Sequence, residues 1–227
     1  MMNNSKRYIE AKKLVEEDKS YSIDEALEIL KSMPKVKFDE TIEISGKLGA
    51  DPKQSEQIVR GSVKLPHGIG KVVKVLVFCE PEKEAEAKDA GADYIGSKEL
   101  IDKILKEGWV DFDCCISTPS MMRLVSRLGK FLGPRGLMPS PKIGTVTENI
   151  AYAVKESKQG KIDFRMDKTG CIHVGVGKIS FTKDAQKDNI VAFIKALEDA
   201  RPPSVKGVFV HDLYVSATMS PSLKISL

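Results

Sequence analysis

Glycine–lysine pairs are the residues in this sequence whose spacing comes nearest to a site for phosphate chemistry. A phosphate-binding loop needs a second glycine five positions before the glycine of the pair, because its backbone amides cradle the phosphates. Leu65 and Ile172 occupy those positions ahead of Gly70-Lys71 and Gly177-Lys178. A dinucleotide fingerprint fails as well, since Ser180 stands where its third glycine belongs. The sequence therefore indicates neither an NTPase loop nor a dinucleotide site.

Side chains suited to nucleophilic, acid–base or metal chemistry are present but scattered. The three histidines lie far apart, no serine or cysteine has the context of a nucleophile elbow, and no CxxC pair occurs. We therefore predict no metal, no cofactor, no disulfide framework and no enzymatic activity. A nucleotide-binding enzyme built on the central region of the chain stays open as the alternative. The residues concerned are His67, His173, His211, Cys79, Cys114, Cys115 and Cys171.

A basic stretch in the middle of the chain points to a different kind of chemistry, the binding of a polyanion. No acid occurs between Asp113 and Glu148. Within this stretch, residues 128–146 read LGKFLGPRGLMPSPKIGTV, and the prolines and glycines predict an irregular but defined loop. Two interpretations stay open: a contact surface for a polyanion, or a rigid connector. The cations in question are Arg123, Arg127, Lys130, Arg135 and Lys142.

Composition limits the possible classes of protein but does not identify one. The 227 residues are 41% hydrophobic, which suits a globular chain of one large or two small domains. Thirty-six basic against 32 acidic residues give a net charge of +4, which permits nucleic-acid binding without requiring it. The first residues lack the apolar core of an export signal, and no run of about 18 apolar residues occurs. We therefore expect a cytoplasmic protein without a membrane partner.

The first part of the chain predicts two helices followed by two strands. Ser22 is a good cap for the second helix, and Glu25 holds the capping-box position. Alternating apolar residues then indicate strands on either side of an Asp-Pro turn. The expected elements are helices over 6–17 and 22–32 and strands over 41–45 and 57–65.

The central region alternates strands with helices. Residues 72–78 are almost continuously apolar, as expected of a strand buried on both faces. The alternation predicts a parallel sheet covered by helices on both sides. Its elements are strands over 72–78, 92–95 and 112–117 and helices over 81–90, 97–106 and 119–132. The residues of the last helix expected in the core are Met121, Leu124, Val125, Leu128, Phe131 and Leu132.

The last part of the chain predicts strands that complete the first domain. The segment 167–170, with glycine at its last position, predicts a hairpin between strands 161–166 and 171–176. Helices are expected over 149–157 and 185–198, and a strand over 207–217. The prediction is an α/β protein in which a discontinuous outer α+β domain with an antiparallel sheet surrounds a nested Rossmann-like domain of three layers. The outer domain is expected to comprise 1–67 and 160–227, and the nested domain 68–159.

Six segments spread along the chain carry a specific resemblance. They are KFDETIEI at 37–44, GADPKQSEQIVRGSVKLPHGIGK at 49–71, GADYIG at 91–96, LGPRGLMPSPKIGTV at 132–146, FRMDKTGCIH at 164–173 and VSATMSPS at 215–222. In order and spacing these motifs resemble those of the bacterial L-one family of large-subunit ribosomal proteins, over nearly the whole length of the chain. LGPRGLMP is the hallmark of that family.

The resemblance implies a structural and regulatory RNA-binding protein of the large ribosomal subunit. The outer domain is the implied RNA-binding unit, and the inner domain carries no nucleotide. The implied partners are large-subunit ribosomal RNA, exit-site tRNA and the mRNA of the protein's own operon. The implied roles are to form the mobile stalk at the exit site, to assist release of deacylated tRNA and to repress translation of that operon. A cytoplasmic, ribosome-bound protein that is monomeric when free is expected.

The residues that the resemblance implies for RNA contact fall in three motifs. Core packing is the competing interpretation of Phe38 and Met219, because both are large and apolar. Ser220 departs from the family's usual glycine and is expected to weaken binding or to force a small rearrangement if that glycine serves close approach of the RNA or a positive φ. The implied RNA-binding residues are Lys37, Phe38, Thr41, Asp167, Lys168, Thr169, Gly170, Thr218 and Met219. The signature loop, expected to be mainly structural, contains Gly133, Pro134, Arg135, Gly136 and Pro139.

Overall fold

The computed structural model describes residues 5–16 and 19–226. These residues divide into two compact units. The outer unit comprises the described residues up to Gly70 together with those from Asp163 onward, and the inner unit is Lys71–Ile162. Both bounds lie slightly later in the chain than the expected ones.

A four-stranded antiparallel sheet forms the centre of the outer unit. Burial alternates along its strand β1 (Thr41–Leu48), where Ile42, Ile44, Gly46 and Leu48 are buried and the residues between them are partly or fully exposed. This period of two is what a sheet covered on one face requires. The strand order is β7-β1-β8-β9, where β1 is Thr41–Leu48, β7 is Cys171–Lys178, β8 is Val210–Ala217 and β9 is Leu223–Ile225. Strand β9, which follows Pro221, was not predicted.

Helices α1 (Lys6–Lys12), α2 (Ile23–Ser32) and α8 (Lys183–Asp199) belong to this unit. The predicted capping box of α2 is confirmed, because the Glu25 amide donates to Ser22 Oγ at 3.3 Å and the Ser22 amide donates to Glu25 Oε2 at 3.0 Å. Helix α1 ends earlier than predicted, and residue 17 of that prediction lies outside the described residues.

The predicted hairpin between the strands on either side of segment 167–170 is wrong. Strand β6 (Lys161–Arg165) pairs with β2 (Arg60–Lys64) in a separate two-stranded sheet, whereas β7 pairs with β1. The turn itself forms, but the strands that it joins enter different sheets. Phe164 of β6 is buried and packs edge-on against Phe193 of α8, with ring centroids 5.6 Å apart. Burial of this aromatic pair outweighs the local preference for a hairpin.

The inner unit is a three-layer α/β structure, as predicted. Its parallel sheet has the order β4-β3-β5, where β3 is Val75–Phe78, β4 is Tyr94–Gly96 and β5 is Cys114–Ser117. All four residues of β3 are buried, and alternate ones enter two separate apolar clusters. One cluster includes side chains of α3 (Glu84–Asp89) and α7 (Ile150–Lys158), and the other includes side chains of α4 (Lys98–Glu107). A strand covered on both faces reads as a continuous apolar run, which explains why β3 was readily predicted.

The single helix predicted over 119–132 is broken into three short pieces. They are α5 (Met122–Val125), a 3-10 turn at Ser126–Leu128 and α6 (Gly129–Leu132). The Ser126 hydroxyl donates to the Met122 carbonyl at 2.7 Å, and a glycine follows within the helical run; both features weaken a regular helix. Five of the six residues expected in the core are buried or partly buried, but Phe131 is 36% exposed.

No helix in the described part of the chain is both long enough and apolar enough to cross a membrane.

Candidate nucleic-acid interface

Five of the implied RNA-binding residues belong to two chain segments at one end of the four-stranded sheet. Lys37 and Phe38 precede β1, Thr41 is its first residue, and Thr218 and Met219 follow β8, its neighbour in the sheet. The Thr41 amide donates to Thr218 Oγ1 at 3.0 Å, and the Thr218 amide donates to the Thr41 carbonyl at 3.0 Å. These reciprocal bonds fix the two strand ends side by side. We call this group, defined by the five residues, the strand-end site.

Phe38 and Met219 are both exposed, so the core-packing interpretation of these residues is wrong. Their exposed fractions are 54% and 49%. Large apolar side chains at strand ends offer flat or polarizable surfaces on which bases can stack. Lys37 beside Phe38 is also exposed and provides a positive charge. The strand-end site therefore combines apolar surface, hydroxyls and a cation, which is the mixture that single-stranded or folded RNA recognition uses.

Several neighbours of the strand-end site were not foreseen from the sequence. Lys178 Nζ donates to Thr41 Oγ1 at 2.9 Å, and the Ser180 hydroxyl donates to Asp39 Oδ2 at 2.7 Å. Glu40 is buried, although strand alternation within the motif gave no reason to single it out. Such contacts join residues more than 130 positions apart, so no local pattern in the sequence could have signalled them.

The other four implied RNA-binding residues do not join the strand-end site. Along β1, Thr41 pairs with Lys178, and Lys47 pairs with Cys171 at the far end. The turn formed by 167–170, which precedes Cys171, therefore lies at the opposite end of the strand. Six residue steps at about 3.3 Å each put the two groups about 20 Å apart. The three motifs that carry the implied residues are therefore arranged as two separate groups.

The turn at 167–170 is held by its own acidic residue. Asp167 Oδ1 accepts the amides of Thr169 and Cys171, both at 2.8 Å, and the Thr169 hydroxyl also donates to this carboxylate. Gly170 has φ of 80°, a conformation that suits glycine, and its carbonyl accepts the Leu48 amide at 2.9 Å. Asp167 therefore shapes the turn, while exposed Lys168 is its most available group for a phosphate.

We expect the turn to stay ordered at pH values at which an ordinary aspartate is already half protonated. The Thr169 hydroxyl and the Cys171 amide lower the pKa of the Asp167 carboxyl in the folded protein. A lowered folded-state pKa stabilises the fold above the unfolded-state pKa, and this contribution disappears as pH falls through the folded-state pKa. NMR titration of the carboxyl carbon measures the shift. Thr169→Val should move the pKa back toward the ordinary value, and an unshifted wild-type titration would contradict the prediction.

A shallow cleft of about 400 Å³ adjoins this turn. Two cations, Arg165 and Lys168, line it together with apolar side chains and Asp167. The two cations outnumber the single carboxylate of Asp167, so the cleft offers a net positive charge beside apolar surface. The remaining lining residues are Pro52, Ile58 and Met166.

The signature loop lies in the inner unit and is an ordered structure. Thr145 secures it: the Ser140 amide donates to Thr145 Oγ1 at 2.8 Å, and the Ser117 amide at the end of β5 donates to the Thr145 carbonyl at 3.0 Å. A side chain at Gly133 would meet the Gly129 carbonyl oxygen at 2.5 Å, so a glycine is required there. Pro139 is buried, whereas Gly133, Pro134, Arg135 and Gly136 are exposed.

The segment that follows β3 in the inner sheet is mainly acidic. Ligands of open parallel sheets bind beyond the carboxyl ends of the strands. At this end of β3 the chain carries Glu80, Glu82 and Glu84 with Lys83 among them, a net negative charge that disfavours an anion. All four cysteines carry free thiols, and burial raises the pKa of the Cys79 thiol to about 11. Within 5–16 and 19–226, no three potential metal-ligating side chains of His, Cys, Asp or Glu cluster together.

Comparison with known proteins assigns the chain to a family. The model of the Ribosomal protein L1p/L10e family matches residues 30–221. The chain is 50% identical to the large ribosomal subunit protein uL1 of Persephonella marina, over 100% of this chain and 95% of that protein. It is 53% identical to the proteins of the same name from Fervidobacterium nodosum and Kosmotoga olearia, over 100% and 99% of this chain and 97% of each relative. The chain therefore belongs to the ribosomal protein L1p/L10e family.

Proposed function

We propose that this protein is a structural component of the large ribosomal subunit that binds large-subunit ribosomal RNA through its outer unit. The observation that carries the proposal is the exposure of Phe38 and Met219 on hydrogen-bonded strand ends. Single exposed apolar side chains are common on protein surfaces, so the argument depends on their occurrence together with hydroxyls and a cation at one end of the sheet. Neighbouring hydroxyls and Lys37 suit the sugars and phosphates of a folded RNA.

Finer roles are proposed on the strength of family membership. As part of a mobile stalk at the exit site, the protein would assist release of deacylated tRNA, so that this tRNA is a second partner. As a regulator, it would repress translation of its own operon mRNA by binding a structure that resembles its ribosomal site. Its location would be on cytoplasmic ribosomes. We propose two domains, with RNA binding in the outer one and no catalytic activity in either.

The turn at 167–170 is proposed as a second RNA contact that acts together with the strand-end site. About 20 Å separates the two, which is less than one turn of an A-form helix in length and within the span of a single folded RNA. Lys168 and Arg165 would supply the salt-dependent attraction there, whereas the strand-end site would supply stacking and shape recognition.

Substituting the cations of the signature loop should weaken RNA binding far less than substituting the strand-end site. We expect alanine at Lys130, Arg135 and Lys142 together to weaken affinity by about threefold or less at physiological salt, because exposed charges are screened there. Alanine at Phe38, Thr218 and Met219 together should lower affinity at least about 100-fold. Both triple variants of the full chain are titrated with a transcript of the stalk region of large-subunit RNA.

Thermal unfolding of both triple variants provides the control, since all six substituted residues have exposed or partly exposed side chains. If the signature-loop variant lost more affinity than the strand-end variant, the RNA site would have to be reassigned to the inner unit.

A further inference from the structure

The turn that presents Thr218 and Met219 has little apolar anchoring of its own. Both side chains are exposed, so burial does not fix their positions. Segments with few buried contacts sample many conformations, and a binding site that must first be ordered loses affinity. What holds the turn is a set of polar contacts from three residues that lie far apart in sequence.

Ser220 closes the turn from within. Its amide donates to the Ala217 carbonyl at 3.0 Å, and its hydroxyl oxygen accepts the Ala217 amide at 2.8 Å. The same hydroxyl lies 3.0 Å from the Pro221 carbonyl, to which it can donate. The side chain thus ties the last residue of β8 to the start of the next segment, with Thr218 and Met219 between the tied ends.

Glu40 binds the backbone of the turn through a buried carboxylate. Its side chain is 5% exposed, and Oε1 accepts the Met219 amide at 3.0 Å. A bond from an amide to a carboxylate is stronger than one between neutral groups, particularly where water is largely excluded. The backbone carbonyl of Glu40 also accepts the Ile179 amide at 2.9 Å, so the residue is itself fixed to the sheet.

Arg7 of α1 completes the arrangement. Its Nη2 donates to the Met219 carbonyl at 2.6 Å, and its Nη1 donates to the Pro34 carbonyl at 3.3 Å. Both backbone polar groups of Met219 are therefore occupied, the amide by Glu40 and the carbonyl by Arg7. Pro34 lies in the segment that leads to Phe38, so one guanidinium links the two chain segments that carry the exposed apolar side chains.

We propose that Ser220, Glu40 and Arg7 are positioning residues that hold Thr218 and Met219 in the geometry that binds RNA. We call these three residues the clamp. The inference rests on the proposed function, because the clamp is taken to serve RNA recognition at the strand-end site. A turn that is ordered before binding does not have to be ordered by the RNA, and a larger fraction of molecules is competent to bind.

Ser220 is accommodated without backbone strain. No non-glycine residue in the described part of the chain has positive φ, so Ser220 does not occupy a conformation reserved for glycine. Its hydroxyl supplies two contacts that a glycine lacks, to the Ala217 amide and the Pro221 carbonyl. A positive φ is therefore no reason for a glycine at this position, and the contacts of the hydroxyl indicate that the side chain orders the turn.

The test compares Ser220→Ala, Ser220→Gly and Ser220→Thr in the full chain, with the stalk-region transcript as the probe. We expect affinity to fall about tenfold for alanine and at least as much for glycine, mainly through a slower association rate, because fewer molecules are competent. Threonine keeps the hydroxyl and should bind within about threefold of wild type. Amide exchange at Ala217 should accelerate in the alanine and glycine variants and stay slow in the threonine variant.

Phe38→Ala separates failure of this inference from failure of the proposed function. If Phe38→Ala weakens binding by about 10- to 100-fold while Ser220→Ala leaves affinity and association rate unchanged, the positioning role of Ser220 is wrong and the strand-end site stands. If neither substitution changes affinity, the proposed site itself is wrong. Tighter binding by Ser220→Gly would mean that the serine side chain obstructs RNA, which overturns the clamp. A lowered melting temperature with unchanged affinity would assign Ser220 to stability alone.

Discussion

Replacing Phe38 with alanine is expected to weaken binding of the stalk-region RNA by about 10- to 100-fold, which corresponds to the loss of one stacked base. The ring is 54% exposed in the free protein, so its removal takes away little buried surface. Melting temperature should consequently stay within about two degrees of wild type. Fluorescence anisotropy with the labelled transcript measures the affinity, and calorimetry of the free protein measures the stability.

Tyr152→Ala is the matched control for this substitution. Tyr152 is an aromatic residue of α7 in the inner unit and is 62% exposed, so it shares the ring and the exposure but not the position. We expect its RNA affinity to stay within about twofold of wild type. Equal losses for the two variants would indicate non-specific contact with exposed aromatic side chains and would contradict a dedicated site at Phe38.

A second large effect is expected in stability, from Asn189→Ala. Asn189 of α8 is fully buried, and its amide nitrogen donates to the carbonyls of Gly68 at 3.0 Å and Val176 at 2.8 Å. Its side-chain oxygen accepts the His67 amide at 3.1 Å. Removing the side chain leaves these three backbone groups without their hydrogen-bond partner and creates a small cavity. The free energy of unfolding should therefore fall by about 3 to 5 kcal/mol. Urea denaturation followed by circular dichroism measures the difference.

Gln54→Ala provides the comparison for the loss of an amide side chain. Gln54 is exposed, and its Oε1 accepts one hydrogen bond from Gln57 Nε2 at 2.7 Å. Its substitution should change the free energy of unfolding by less than about 0.5 kcal/mol. A change for Asn189→Ala as small as this would mean that water or a local shift replaces the lost bonds, and the role assigned to Asn189 would be abandoned.

The inner unit was the most predictable part of the fold, and its errors have local causes. Strand β3 is recognisable in the sequence as a continuous apolar run, and each crossover helix follows within a short distance along the chain. The predicted helix over 119–132 failed because Ser126 bonds back to Met122 and Gly129 weakens the helix further. Periodicity reports which side chains face the core, but it does not report such competing local bonds.

For the candidate site, the sequence proposed residues by type and motif but not how they are arranged. A hydrophobicity scale would place Phe38 and Met219 in the core, so it could not predict that both are exposed. The sequence also presented segment 167–170 as a hairpin, and the structure assigns its two strands to different sheets. Pairing partners are chosen by the packing of buried side chains such as Phe164, which lie far along the chain from their contacts.

By itself, the sequence determined the family, the class of each main element and the residue types available for RNA contact, because motifs, caps and hydrophobic periods are local properties of the chain. Only the tertiary structure decided which of those residues meet. Antiparallel pairing of β1 with β8 brings Thr41 to Thr218, while the register with β7 carries the 167–170 turn to the other end of the sheet. The contacts of Arg7 and Glu40 with Met219 span 212 and 179 positions, and they follow from strand register and helix packing that no local pattern encodes.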